Sequence, residues 1–543
     1  MESATLTGLR PDSTWVARMR ATPASSWARA GFVLLCAGAL IGYFAFPTYP
    51  TYDSYYALIW GRDVLHLHLP DFQVYRAPTE HPLAIAFGVL ISVFGRSGDR
   101  LMIAGSIASF VVLTAGLYRL GRLTFGPVVG AVAAIVLCTR FDYEFYAAQG
   151  YLDFPYMALV IWAAAFEAER ARRGTSVFLL LAAAGLLRPE AWLLSGLYLL
   201  WCGWPACTGW VFKKNMVLRA RAYARAAPSK MEQQHLRVGA GAPTVPGWRR
   251  LVTYAALTIS APLIWSAVDL IVTGDATYSL HSTTGLAEEL GRTQGLANIP
   301  ASTWQFMVRL DKLPLVAAAI AGVGIAIVLV PRRVRVPLSL LVAGLLTFGL
   351  LGAAGTSVID RYLLTPAVLV MLFSAVTLGG WSLLEPGTLL RRAWISAALL
   401  VLAYGVVAAA TTLSIASIQT QLAFRNDSHR ALASVLDSPI VRSNLKRCGP
   451  LSLPNHKLMP DARWILNEGP HDIIARSQAR INARKGDPKL RERISRGVAI
   501  YPTGSAVFRQ AIVDSNDDPQ DQVPLRGFSR ELTSQYYAVY VHC

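Results

Sequence analysis

The stretch AGFVLLCAGALIGYFAFPTYPTYDSYY, residues 30–56, sets the class of this chain. No charged side chain interrupts it from Ala30 to Tyr52, and its first part is long enough to cross a bilayer core about 30 Å thick. Pro47 and Pro50 break the run, and the carboxylate of Asp53 follows. A carboxylate held where a membrane helix meets water is costly to keep unless it binds or reacts with something.

The rest of the chain repeats that pattern. Of 543 residues, 54% are hydrophobic and only 15% charged, where a soluble domain carries about 25% charged residues. The apolar residues fall in runs of roughly 15 to 23, the signature of a polytopic α-helical membrane protein. The net charge of +18 sits mostly in clusters between runs: Arg170, Arg172 and Arg173; Lys213 to Arg250; Arg332, Arg333 and Arg335; Arg391 and Arg392. Basic loops of this kind orient spans and attract anionic lipid, so nucleic acid is not needed to explain the charge.

The charge pattern builds a topology. Arg10, Arg18, Arg20 and Arg29 precede the first run and no small-x-small site follows it, so residues 1–29 read as a cytoplasmic tail and 30–47 as an uncleaved first span. Residues 48–100 form an outer loop, with 82–95 a helix lying on the membrane surface behind Pro82. Further spans follow at about 101–118, 124–139 and 154–169. Residues 176–203 look like one span but are interrupted by Arg188-Pro189-Glu190, where proline removes a helical hydrogen bond between two charges. Two short helices there leave the basic loop 204–250, with nine Lys and Arg and the single acid Glu232, in the cytoplasm. Spans then follow to about residue 415, separated by an outer loop at 273–311. The expected total is about eleven transmembrane helices within 30–415, N-terminus inside.

Residues 416–543 are polar and form a separate extracytoplasmic C-terminal domain of mixed α/β type. Gly497–Tyr501 and Tyr537–Val541 have strand composition, and Asn516-Asp517-Asp518-Pro519 reads as a loop. Cys36, Cys138, Cys202 and Cys207 belong to apolar runs as small core residues. Cys448 and Cys543 belong to the C-terminal region, where an oxidising compartment favours a disulfide between them.

This topology gathers Asp53, Glu80, His81, Asp153, Arg188, Glu190, His281, Asp360 and Arg361 at the outer boundary. Each has a plainer reading: Asp53 as a partner of Arg62 or Arg76, Asp153 as an N-cap, Glu80 and His81 as capping groups, Arg188 as a snorkelling side chain, Arg361 as a partner of Asp360. His66-x-His68 has strand-type ligand spacing without an acidic neighbour, so no metal site is assigned. A divalent cation has no ligand cluster to support it, and no cofactor is called for. No nucleotide-binding glycine motif is present. Whatever group is transferred therefore arrives on a lipid or is already outside.

Taken together, Asp53 after the first span, Glu80-His81-Pro82 before a surface helix, Leu152-Asp153, Arg188-Pro189-Glu190 and Arg361-Tyr362-x-x-x-Pro366 resemble the GT-C membrane glycosyltransferases over about residues 30–380. The nearest branch is that of the protein mannosyltransferases and aminoarabinose transferases. Two departures stand out: Asp53-Ser54 replaces an Asp-Glu pair, and His81-Pro82-Leu83 replaces His-Pro-Pro. The resemblance implies a polyprenyl-phosphate sugar donor and a glycan, lipid or protein acceptor on the outer face. It makes Asp53 the general base or acceptor-positioning carboxylate, Asp153 a second catalytic carboxylate, and Arg361 with Arg188 the phosphate-binding cations. Glu80, His81, Glu190 and His281 complete the substrate-binding set. One displacement would invert the anomeric centre. A transporter or flippase of a lipid-linked or small anionic substrate is the alternative; it would place charges at mid-depth.

Overall fold

The computed structural model describes residues 24–204, 247–412, 415–503 and 518–543. Most of the expected cytoplasmic tail, most of the basic loop, and the start of the 516–519 loop lie outside the described residues.

The helical part forms around one helix, Leu364–Gly379, in which 14 of 16 residues are buried. A helix that is apolar on every side belongs in a core. It packs against Leu313–Leu329 and Pro127–Cys138, and the latter crosses Gly98–Phe125. Without a hydrophobic drive between lipid-immersed helices, close approach depends on small residues. A Cβ on Gly322 would run into the carbonyl of Phe373, and one on Gly121 would sit 2.7 Å from the Cα of Gly130.

Among the described residues, five helices have the length and apolarity of separate spans: Ser26–Ala45, Gly95–Phe125, Trp248–Thr273, Arg335–Ala353 and Asp360–Leu383. A sixth arises if Leu296–Asp311 and Leu313–Leu329, bent by 106°, count together. Helix length alone therefore does not reproduce the eleven spans expected. The runs at 124–139 and 176–187 fold as helices of 12 and 11 residues, and the run at 154–169 as one of 17. The outer loop expected at 273–311 contains two helices, Tyr278–Glu289 and Ile299–Asp311. Their mixed Ser, Thr and acidic composition carries no long apolar run to announce them.

Helix boundaries are clear at two of the prolines singled out in the sequence. Thr175–Gly185 ends before Arg188-Pro189, and a new helix occupies 190–204. Pro82–Ser92 is 11 residues long, starting with proline in its first turn. Such a helix rises about 16 Å, too little to cross a bilayer.

Among the described residues, the C-terminal domain contains a five-stranded mixed sheet in the order β2-β1-β3-β5-β4. Its strands are β1 (Leu451–Leu453), β2 (Ile473–Ala475), β3 (Gly497–Pro502), β4 (Ser529–Thr533) and β5 (Tyr537–His542). β1 runs parallel to both β2 and β3, and β5 runs antiparallel to both β3 and β4. Buried Arg476 ties this domain together, donating to the carbonyls of Ser452, Ile500 and Asp521 while lying 3.9 Å over the Tyr501 ring. Cys448 and Cys543 are disulfide-bonded.

The helix Tyr52–Leu65 joins the two parts. Tyr55, Leu58 and Ile59 face the core of the helical bundle, whereas Tyr56 and Trp60 enter a second core with Leu451, Ile465 and Val539 of the sheet domain. On one side it crosses Pro82–Ser92 so closely that a Cβ on Gly61 would strike the Gly88 backbone. Gly61→Val is therefore expected to destabilise the protein by about 1–3 kcal/mol through overpacking. Thermal unfolding of the detergent-solubilised protein measures this; an unchanged melting curve would show that the crossing can open without cost.

Candidate functional site

Asp53 stands in the first turn of the helix Tyr52–Leu65, after extended Thr51. The start of that helix is pinned to the loop preceding Asp153: Thr51 N–H donates to the Gln149 carbonyl (2.9 Å) and Ser54 Oγ to the Gly150 carbonyl (2.6 Å). Gly150 has φ +76°, a left-handed conformation that glycine adopts freely. The turn places Asp153 at the head of the helix Asp153–Glu169, pointing toward the same space as Asp53.

Arg361, from the turn Asp360–Leu363, joins the two carboxylates. Its Nη1 donates to Asp53 Oδ2 (2.8 Å), and its Nε and Nη2 to Asp153 Oδ2 (3.2 and 2.9 Å). Arg188, at the interruption before helix 190–204, bonds the other oxygen of Asp153, and its Nε and Nη2 meet Glu190 Oε1 (3.1 and 2.8 Å). Five sequence-expected residues thus form one ion cluster, three carboxylates against two guanidiniums. Both cations also lie over aromatic rings, Arg361 over Tyr151 (5.0 Å) and Arg188 over Tyr362 (5.0 Å).

Burial separates the roles inside the cluster. Asp153 is 1% exposed and both its oxygens are taken by arginines, whereas the Asp53 side chain is 22% exposed. Asp53 Oδ1 has no protein partner among the described residues, and Asp53 lines a cavity of about 780 Å³. A guanidinium has five N–H groups. Each arginine commits three of them, leaving donors for another anion.

Glu80 and His81 lie beside this cluster. Glu80 is fully buried, and its Oε2 meets Ser279 Oγ at 2.8 Å. The same hydroxyl meets Asp269 Oδ1 (2.8 Å) and accepts from Trp265 Nε1 (2.8 Å). One hydroxyl has one proton to give, so one of the two carboxyls must carry its own. Burial pushes Glu80 up to about 7, making it the protonated partner. The folded state therefore favours neutral Glu80: that stability is complete below the unfolded value of 4.5 and is lost as pH rises through about 7. Glu80→Gln, whose amide keeps a donor toward Ser279, is expected to melt with the unmodified protein at pH 5. At pH 8 it should be more stable by up to about 3 kcal/mol. A gap that does not change with pH would place the proton elsewhere. His81 is held neutral too, burial taking its imidazole down to about 4, and its Nδ1 has no partner among the described residues.

His281 is not brought to the site. Its side chain is 73% exposed and pairs with Asp275 on its own segment (3.2 Å). The helix Tyr278–Glu289 turns Ser279 and Thr283 to the cavity instead, and that rotation was hidden while the segment read as a loop. Conversely, the cavity wall includes Arg76, Arg292 and His456, which lie in polar stretches without any motif. Among the described residues, no three His, Cys, Asp or Glu side chains converge to hold a metal ion.

No family model matches the chain, and no curated protein matches it in sequence. Among solved structures it is similar to the crystal structure of ArnT from Cupriavidus metallidurans in the apo state. The match has a TM-score of 0.50 and 13% identity, and covers 94% of this chain and 98% of that one. Identity this low reports architecture. The chain is a multi-pass membrane protein whose fold is similar to that of ArnT, a helical bundle joined to a small mixed sheet.

Proposed function

We propose that the protein is a membrane glycosyltransferase that moves a sugar from a polyprenyl-phosphate donor to an acceptor hydroxyl on the outer face of the membrane, with inversion. The N-terminus is then cytoplasmic and the sheet domain extracytoplasmic. The observation that carries this reading is the unpartnered Asp53 Oδ1 in the cavity, backed by two arginines with donors to spare. The ArnT-type fold supports it, as does the resemblance of the motifs to a family that uses lipid-linked sugars.

In this mechanism Asp53 accepts the proton of the acceptor hydroxyl as its oxygen attacks the anomeric carbon. The bond from that carbon to the phosphate oxygen breaks, and the electron pair leaves with polyprenyl phosphate. The free N–H groups of Arg361 and Arg188 stabilise the charge gathering there. A phosphate is a good enough leaving group to need no general acid. Asp153 holds the two cations and does not meet the sugar, whereas Glu190 anchors Arg188 through Oε1 and lines the cavity.

The clustered charges all sit at helix ends: Asp53 and Asp153 in first turns, Arg188 and Glu190 at an interruption, Arg361 in a turn before a helix. A transporter site would be expected within interrupted spans at mid-depth. The test is mass spectrometry of lipid-linked sugars and envelope glycans in cells with and without the protein. A donor that accumulates together with a glycan that loses one sugar is expected; unchanged pools of both would overturn the proposal.

A further inference from the structure

The sheet domain carries charge that the cavity does not use. On β2, Ile473 and Ala475 enter the core shared with Tyr56 and Trp60, whereas Ile474 packs with Ala479 and Ile494. Side chains alternate along a strand, so Ala479 of the helix Arg476–Arg484 and Ile494, which ends the short helix Lys489–Arg493, cover the sheet face turned away from the helical bundle. From that cover, residues 484–496 present Arg484, Lys485, Lys489, Arg491, Arg493 and Arg496 to solvent. Asp487 and Glu492 are the acids among them.

Neighbouring acids do not neutralise this ridge. Asp521 pairs with Arg480 (2.9 Å), and Asp518 is shared by Arg480 and Arg484 (both 3.3 Å). Asp487 Oδ1 accepts from the Lys489 backbone N–H (3.2 Å). Lys485, Lys489, Arg491, Arg493 and Arg496 have no ion-pair partner among the described residues. Lys489 and Arg493 stand four residues apart on one helix, a like-charge spacing that costs stability. Arg493 is nonetheless held in place, donating to the His471 carbonyl at 2.7 Å. The ridge also leads toward the cavity: Arg480 lies within electrostatic reach of Tyr75, whose ring stands edge-on 6.3 Å from cavity-lining His456.

We infer that the exposed ridge 484–496 is a docking surface for a polyanionic glycan, a sugar chain with an acidic group on each repeat, running over the sheet domain toward the cavity. The glycosyltransferase reading enters only in making that chain the acceptor. A solvent-exposed cation holds a single anion weakly, so charges spread over two helices and the turn between them suit a polymer that meets many at once. The ridge lies on the sheet face away from the bundle, which sets it apart from a surface built for lipid headgroups. No aromatic residue occurs in 484–496, so nothing there stacks on a nucleobase.

The test is lysine acetylation of the full-length protein in phosphatidylcholine nanodiscs, read by mass spectrometry, with dextran sulfate as the probe and uncharged dextran beside it. Dextran sulfate should slow acetylation of Lys485 and Lys489, while exposed Lys312 in the helical part serves as the internal reference. Raising the salt from about 0.1 M to about 1 M, which shortens the Debye length from about 10 Å to about 3 Å, should remove the protection. Arg491→Gln with Arg496→Gln should raise the half-protecting concentration about fivefold, the effect of two exposed ion contacts. The same pair changed to lysine, which keeps the charge, should stay within about twofold of the unmodified protein. Equal protection of Lys312, protection by uncharged dextran, or no effect of the glutamine pair overturns the inference. Protection by phosphatidylglycerol vesicles without protection by dextran sulfate makes the ridge a lipid surface and overturns it too. Protection as expected in a protein that transfers no sugar keeps the ridge and removes the enzyme reading; transfer without protection does the reverse.

Discussion

Asp53→Asn is expected to lower sugar transfer from a polyprenyl-phosphate donor by about 10²–10⁴-fold, the contribution of a positioned general base. The substitution keeps the shape of the side chain and its bond to Arg361 in part, since the amide oxygen still accepts from Nη1. It removes the basic Oδ1 that faces the cavity. Because the side chain is 22% exposed, little desolvation is at stake and the variant should unfold within about 1 kcal/mol of the unmodified protein. The paired measurement is single-turnover transfer beside thermal unfolding. Normal turnover by a well-folded variant would take Asp53 out of the chemistry.

Asp153→Asn should differ by costing stability as well as transfer. Asp153 is 1% exposed and holds Arg188 with one oxygen and Arg361 with the other. Replacing it leaves two guanidiniums in a buried cluster with Asp53 and Glu190 alone. Loss of one partner from a buried ion pair costs about 3–5 kcal/mol, because the charge left behind keeps its desolvation penalty. The variant should therefore melt early, and its transfer rate should fall because Arg361 no longer fixes Asp53. A protein that loses transfer but melts normally would mean that Asp153 meets the substrate directly. The two substitutions, equal in chemistry, thus separate a reacting carboxylate from one that positions cations.

Much of the chemistry end was readable before the structure. Proline and two charges inside an apolar run can only mean an interruption, and 186–189 is one. Acids and arginines at the ends of apolar runs are costly enough to seek one another, and Asp53, Asp153, Arg188, Glu190 and Arg361 do. Alternating β-branched and aromatic residues placed β3 and β5. The three-residue strands β1 and β2 left no such trace.

What escaped the sequence depends on packing. Which of two similar aspartates is buried is decided by the Arg188 and Arg361 side chains arriving from elsewhere. His281 and Ser279 differ by half a helical turn, and only the docking of Tyr278–Glu289 selects Ser279. Arg76, Arg292 and His456 looked like solvated surface because a cavity wall made from three distant segments has no local pattern.

The join along Tyr52–Leu65 has an evolutionary consequence. Asp53 shares a stripe of that helix with Tyr56 and Trp60, which rest on the sheet domain, and His456 of that domain lines the same cavity as Asp53. The helical bundle and the sheet domain thus both contribute to one cavity. Drift in the 450–460 segment would reshape that cavity while the helical part, constrained by glycine crossings and a buried charge cluster, stays as it is.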